Sequence, residues 1–118
     1  MKSVDKFDTI YIYNGKVDFR RSIDGLSNMV QEELKMDVFQ NSLFLFFNKS
    51  KNKLKILYWD KSGFALWYKR LEEERFKIPK NIEGNHLALT SKELEWLLEG
   101  YDIAKMKPHQ ELRYNIVA

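Results

Sequence analysis

Five consecutive large apolar residues, at positions 43–47, constrain the fold of this chain more than any other feature of its sequence. A segment that is apolar at every position, instead of every second one, is typical of a strand buried on both faces. It runs into Asn48-Lys49-Ser50-Lys51-Asn52, whose asparagines and serine favour a turn. The sequence therefore predicts an interior strand over residues 43–48 that leads directly into a hairpin.

Two more β-rich segments follow this turn and complete a predicted meander. They are Lys53–Asp60 and residues 64–71, and the turn sequence between them includes Lys61-Ser62. Strands joined by such short loops run antiparallel to one another. We therefore predict three consecutive antiparallel strands in the middle of the chain.

The loop length in the second hairpin decides which side chains share a face. If Lys61 and Ser62 form a two-residue loop, Trp59 lies opposite Phe64, whereas a loop one residue longer exchanges the faces. Both faces carry large side chains in either register. We expect the helices to cover one face only, which leaves the other for the N-terminal strand, a partner subunit or nucleic acid.

The segments on either side of the meander predict one more strand and two helices. Residues 9–13 are rich in β-formers, and Asp18 is a suitable N-cap for a helix whose apolar residues recur with helical spacing over 23–34. Thr90 and Glu93 form a capping-box pattern at the start of a second helix. The order is β-α-β-β-β-α, and the predicted fold class is α+β, a mainly antiparallel sheet packed against two helices.

Composition limits the chain to one soluble domain without cofactor chemistry. The 118 residues, 44% of them apolar, are enough for a single core, and no apolar stretch reaches the ~20 residues of a membrane helix. We expect one compact domain over 1–118, ordered over about 8–103 with short flexible ends. The N-terminus lacks the apolar segment of a signal peptide, which predicts a cytoplasmic protein. With no cysteine and with His86 and His109 far apart, we predict no metal site, no cofactor and no catalytic activity.

Basic residues are concentrated in the middle of the chain, where positions 43–80 hold ten lysines and arginines against four acids. This excess indicates a polyanionic partner, although a solvated lysine-rich surface gives the same pattern. Lysines on a projecting hairpin suit phosphate contacts, and Arg20 and Arg21 lie in the predicted first turn of a helix, where the dipole disfavours cations. The candidate nucleic-acid-binding residues are Lys49, Lys51, Lys53, Lys55, Lys69, Arg70, Arg20 and Arg21.

Aromatic residues of the second and third meander strands suggest an alternative to DNA binding by the basic residues, namely a protein-interaction surface. An aromatic face that the helices leave uncovered would suit a protein partner or stacked bases, and it could equally be part of the core. The candidate protein-interaction residues are Tyr58, Trp59, Trp67 and Tyr68. The sequence leaves DNA contact and protein docking as two open alternatives.

Three segments carry a resemblance to a known family. They are residues 17–26 (VDFRRSIDGL), 54–72 (LKILYWDKSGFALWYKRLE) and 89–103 (LTSKELEWLLEGYDI). Together they resemble the second-reading-frame, TnpB-type accessory protein of the IS66 class of bacterial insertion sequences. The likeness extends over about residues 10–103.

The resemblance implies a non-catalytic accessory role in moving the element, beside a separate transposase that carries the catalytic carboxylates. The implied partners are the cognate transposase, another accessory protein and DNA at the element ends. The chain departs from the family's usual pattern at Glu73 and Glu74, which replace a more basic pair, and at Ser22, where glycine is common. Its hairpin carries lysines where relatives often have arginines. Each of the changes at the hairpin and at Glu73-Glu74 lowers the local positive charge or its bidentate character.

Overall fold

The interior strand predicted from the apolar segment is the middle strand of a five-stranded sheet in the computed structural model, which describes residues 3–106. All six residues of this strand are buried, as a strand covered on both faces requires. After a short 3-10 helix at Val4–Lys6, the elements are β1 (Thr9–Lys16), α1 (Ile23–Glu32), β2 (Ser42–Phe47), β3 (Lys53–Asp60), β4 (Gly63–Arg70), β5 (His86–Leu89) and α2 (Ser91–Glu99).

The sheet has the strand order β4-β3-β2-β1-β5 and is mainly antiparallel. The β2-β3-β4 meander is antiparallel throughout, and β5 runs antiparallel to β1. Only β1 and β2 are parallel, because α1 carries the chain back between them, and Ile10 lies beside Leu43 in that pair. The predicted α+β class is therefore confirmed, with two helices and a mostly antiparallel sheet.

The fifth strand of the sheet, β5, has no counterpart in the predicted order. It contains only four residues, His86 to Leu89, and pairs with Ile10 to Tyr13 of β1. So short a segment has too little alternation to signal a strand, and it is extended because β1 offers a free edge. Its last residue stands just before the N-cap of α2, so β5 also fixes where that helix begins.

The β3–β4 hairpin has the shorter of the two loops that the sequence left open, with Lys61 and Ser62 as its two residues. Trp59 lies opposite Phe64 and Lys55 lies opposite Tyr68, and the register is unbroken from Asp60↔Gly63 to Lys53↔Arg70. Lys61 takes a left-handed conformation (φ 55°), which a tight hairpin turn demands of its first central residue.

The expectation that both helices cover one face of the sheet is wrong. Leu26 and Val30 of α1 pack with Phe44 and Phe46, whereas α2 packs with the alternate residues of β2 through Leu94 and Leu97. The helices lie on opposite faces because the β1–α1–β2 crossover and the β5–α2 connection leave the sheet on different sides. A β2 strand that is apolar at every position needs this two-sided cover.

The predicted N-cap of the first helix is also wrong. Helix α1 begins at Ile23 with Ser22 as N-cap, and Asp18 lies in a separate turn. The Asp18 carboxylate accepts a hydrogen bond from the Arg20 backbone N–H at 2.9 Å, so it caps that turn instead of a helix. Arg20 and Arg21 therefore precede the helix instead of lying in its first turn.

The start of α2 agrees with the predicted capping box. Glu93 N–H donates to Thr90 Oγ1 at 3.1 Å, and Thr90 N–H donates to the Glu93 carboxylate at 2.9 Å. The helix ends at Gly100, whose φ of 96° suits glycine. Within residues 3–106, no helix has the length and apolar character needed to span a membrane. The C-terminal tail, predicted to be flexible beyond about residue 103, lies outside the described residues from 107 onward, and its flexibility stays a prediction.

Candidate nucleic-acid interface

The loop between β2 and β3, residues 48–52, is called the hairpin tip, and its shape is fixed by its two asparagines. The Asn48 side chain accepts a hydrogen bond from Lys53 N–H at 3.0 Å and donates one to the Asn52 side chain at 2.7 Å. Lys51 adopts a left-handed φ of 59°, and its carbonyl accepts a bond of 2.8 Å from the segment that follows β4. These contacts fix the backbone from which the lysines of the tip project.

One side of the hairpin tip borders a cleft of about 220 Å³, called the lysine cleft, where the parallel strands β1 and β2 end. Four exposed lysines line it: Lys16, Lys49, Lys51 and Lys80. Among the described lining residues there is no carboxylate, and none of the four lysines forms an ion pair within residues 3–106. Four uncompensated cations around one concave surface produce a field that attracts polyanions.

The other side of the hairpin tip borders a wider cleft of about 440 Å³, called the aromatic cleft. Phe19 and the 47% exposed ring of Tyr68 line it together with Lys53. Arg20 also lines it, and Lys49 borders both clefts. The structure thus brings together cations that the sequence places in two distant segments, the 17–21 turn and the hairpin.

The aromatic cleft differs from the lysine cleft because it contains an acid. Asp18 forms an ion pair with Arg20, with 2.5 Å between the guanidinium Nη2 and the carboxylate. Hydrogen bonds from the Arg20 side chain, and then from its backbone, lower the pKa of Asp18 to about 2. Asp18 therefore stays ionised at neutral pH and compensates much of the charge that Arg20 brings to the cleft.

Lys55 has a structural position, and the prediction that it is exposed on the hairpin is wrong. It is 7% exposed, and its Nζ donates to the Phe19 carbonyl at 2.9 Å and to the Arg21 carbonyl at 2.7 Å. The ammonium also lies 4.9 Å from the centre of the Phe19 ring. Burial, followed by repulsion from Lys53, lowers the pKa of Lys55. Lys55 thus anchors the 17–21 turn and with it one wall of the aromatic cleft.

Comparison with known proteins identifies the family. A model of the IS66 Orf2-like proteins matches residues 8–108. The chain belongs to this family. Two uncharacterized proteins of Sinorhizobium fredii are similar to it over most of their length: y4hO is 36% identical over 93 residues (79% of this chain and 80% of y4hO), and y4jC is 33% identical over 98 residues (83% of each). No solved structure matches the chain.

Membership in the IS66 Orf2-like family associates the chain with transposition of an insertion sequence and with the transposon machinery in general. The family is one of accessory proteins, in agreement with the resemblance carried by the 54–72 segment. Neither relative has an established activity, so residue roles have to be argued from the geometry of this chain.

The remaining basic candidates of this IS66 Orf2-like protein lie outside the two clefts. Arg70 pairs with Glu72 at 2.9 Å, which reduces its charge for any ligand. Lys69 stands next to it on β4, half-buried, opposite Leu54. The Arg21 side chain is exposed and packs over Gly25, where an added Cβ would lie 3.1 Å from the Cβ of Arg21. The helical glycine thus leaves room for Arg21.

The four aromatic candidates do not form one surface. Tyr58 is buried and Trp67 is half-buried against the α2-side core. Trp59 lies on the α1 side, where its ring meets Phe64 at 5.0 Å and Phe39 at 5.0 Å. The fourth candidate, Tyr68, belongs to the aromatic cleft. Because neighbouring residues of a strand point to opposite faces, each adjacent pair of candidates is divided by the sheet.

Sequence reasoning missed Lys16, Lys80 and Phe39. Lys16 ends β1 and Lys80 lies in the long connection to β5, so neither belongs to a local basic cluster. Phe39, 53% exposed, stacks on Phe64 from the loop before β2. Tertiary contacts bring Lys16 and Lys80 to the hairpin tip and Phe39 to Trp59 and Phe64, and only the excess of basic residues in the middle of the chain gave a hint of Lys80. Within residues 3–106, no cluster of three or more acidic or histidine side chains is arranged to hold a metal ion.

Proposed function

We propose that this IS66 Orf2-like protein acts in transposition as a non-catalytic accessory factor that binds DNA through the hairpin tip and its two clefts. The observation that carries the proposal is the lysine cleft, where four exposed lysines converge without a carboxylate among the described lining residues. Such a surface fits closely spaced phosphates, whose condensed counterions it would release. The protein is expected to act in the cytoplasm, at the ends of the element.

The charges of the site favour phosphate contact over base reading. Lysine presents a point charge, whereas bidentate recognition of guanine needs a free guanidinium. Arg20 and Arg70 are each committed to a neighbouring acid, Asp18 and Glu72. The hairpin tip therefore suits positioning on the DNA backbone, with any sequence preference of the complex coming from the transposase or from DNA shape.

Salt-dependent binding tests this proposal. Duplex DNA from the element ends is titrated by fluorescence anisotropy across a series of salt concentrations. The wild type should give a linear fall of log K with log salt, and Lys49→Ser with Lys51→Asn and Lys53→Ser should lower the slope by about 3, because each lost phosphate contact removes about 0.9. Asparagine is chosen at position 51 because of its left-handed backbone.

A matched control separates the clefts from general charge. Lys6, Lys35 and Lys105 are exposed, form no ion pair within residues 3–106 and line neither cleft nor the hairpin tip. Changing Lys6 and Lys105 to serine, and Lys35 to asparagine because of its left-handed φ of 57°, removes the same charge elsewhere. The control should keep the wild-type slope apart from a small general effect. Equal losses in both triples, or a wild type that does not bind at low salt, would refute DNA contact through the hairpin tip.

A second candidate function, docking on the transposase or on another accessory protein, is favoured by the aromatic corner formed by Phe39, Trp59 and Phe64. Phe39 is 53% exposed although its ring is stacked on Phe64 at 5.7 Å. Exposed aromatic anchors of this kind concentrate binding energy at protein interfaces. Nuclease-treated pull-down with purified transposase tests it: Trp59→Ala should lose binding and Trp67→Ala, on the opposite face, should keep it.

A further inference from the structure

The two edges of the sheet are unequal. β5 ends one side with only four residues, whereas β4 ends the other with eight, Gly63 to Arg70. A strand at an edge exposes a row of unpaired N–H and C=O groups, which can pair with a further strand. Within residues 3–106, no other segment pairs with the outer side of β4.

β4 lacks the features that normally prevent pairing at an edge. It has no proline, and its register with β3 is unbroken over eight pairs, so no bulge turns it away. Its first six residues, GFALWY, are uncharged, and each of its eight residues is half-buried or exposed. Only Lys69 and Arg70, at one end, could repel an incoming strand.

We propose that β4 is a dimerisation edge, on which a second copy of this chain adds its own β4 antiparallel to form a continuous ten-stranded sheet. The charge distribution of β4 suits a second copy in antiparallel orientation, because the charged end of each strand then meets the uncharged end of the other. In a two-fold pair centred on Leu66 or Trp67, Lys69 of one copy lies opposite position 63 or 65 of the other, both uncharged. Parallel pairing would instead bring equivalent lysines and arginines together.

The symmetry of this pair also determines which faces meet. The two-fold axis is perpendicular to the sheet, so the α1 side of one copy continues as the α1 side of the other. Lys53 pairs with Arg70 at the charged end of β4, so the hairpin tips lie at opposite ends of the shared edge. If the proposed DNA contact holds, one dimer presents two DNA-binding tips, but dimerisation itself does not depend on DNA.

Position 63 gives a sharp test because its substitution should leave the monomer intact. A Cβ built at Gly63 has no heavy atom within 4 Å, and its φ is not in the left-handed region. In either register this position lies opposite or diagonal to Lys69 of the second copy. Gly63→Glu should therefore tighten the dimer and Gly63→Lys should weaken it, with dissociation constants that differ about tenfold because each change acts twice.

Sedimentation equilibrium of the full chain without DNA, over a series of concentrations, measures these constants, and circular dichroism checks the fold. The wild type should show a monomer–dimer equilibrium, and Lys69→Glu added to Gly63→Lys should restore association. A wild type that is monomeric at every concentration overturns the proposal, as does equal association of the two Gly63 variants. Either result would leave the proposal of DNA binding standing, because the anisotropy titrations test that proposal independently.

Discussion

The lysine cleft and the aromatic cleft share the hairpin tip and differ in how their charges are balanced. The first has four lysines and no carboxylate among its described residues, whereas the second pairs Arg20 with Asp18 and places Lys53 beside aromatic rings. A cation that already has a partner gains less from a phosphate, because it must lose or share that partner. The count of basic residues near a surface is therefore a poor guide to how strongly it binds DNA.

The two clefts also differ in whether a buried side chain holds their walls in place. The aromatic cleft has a wall held by the Lys55 ammonium, and the lysine cleft has no contact with Lys55 among its lining residues. The largest expected effect in this comparison follows from Lys55→Met. Two carbonyls, of Phe19 and Arg21, lose their donor, and we expect the free energy of unfolding to fall by about 1–3 kcal/mol in chemical denaturation.

The same variant should change the pH dependence of stability. The pKa of Lys55 is lower than its ordinary 10.5 in the folded chain, so between these two values the unfolded chain binds more protons. The wild type therefore has a component of stability that rises with pH in this alkaline window, and Lys55→Met should lack it. Identical pH profiles for the two proteins would contradict the buried position of this lysine.

The second largest effect is expected for the lysine cleft. Changing Lys16 and Lys80 to glutamine removes two uncompensated cations and should lower the salt slope of DNA binding by about 2, with affinity reduced roughly tenfold. Anisotropy titrations at several salt concentrations provide the measurement. The pair is informative because neither residue lies on the hairpin itself, and an unchanged slope would restrict the DNA contact to the tip.

The matched pair in the aromatic cleft, Arg20→Gln with Lys53→Gln, removes the same formal charge and should lower the slope by only about 1. Asp18 compensates Arg20 in the free protein, so fewer counterions are released there. The same titrations compare the two pairs directly. A larger loss in the aromatic cleft than in the lysine cleft would reverse the proposed ranking.

The smallest expected effect on DNA binding is an increase in affinity instead of a loss. Asp18→Asn removes the only carboxylate among the described lining residues of the aromatic cleft and frees the Arg20 guanidinium. DNA affinity should rise a few-fold, and the salt slope should become steeper by up to about 1, as measured by anisotropy. The turn should persist, because the asparagine oxygen can still accept the Arg20 N–H. Unchanged affinity would show that Arg20 does not face the DNA.

Much of the fold could be predicted because its signals are local. Positions 43–47 predict an interior strand by being apolar throughout, and Thr90 with Glu93 predicts a helix start by direct hydrogen bonds. Asp18 shows the limit of local signals. Its carboxylate can cap a helix or a turn, and here it caps a turn in which the Phe19 carbonyl is held by Lys55, 36 residues away along the chain.

The candidate site could be predicted only in part, because it too depends on contacts between distant segments. The hairpin lysines Lys49, Lys51 and Lys53 stand at every second position and were identified from the sequence, but Lys55, two residues further on, is buried. Alternate residues of a strand share a face, so the sequence pattern alone predicts that Lys53 and Lys55 are equally exposed. What separates them is the 17–21 turn, which covers one and leaves the other at the cleft.

By itself, the sequence determined the α+β class, the antiparallel meander, the family resemblance and the basic character of the hairpin. These properties depend on residues close together in the chain, whose periodicity and turn chemistry act locally. Only the tertiary structure decided that the helices cover opposite faces, that Lys16 and Lys80 join the hairpin lysines, and that β4 is an edge strand among residues 3–106. Each of these depends on contacts between distant segments, which the pattern within any one segment does not record.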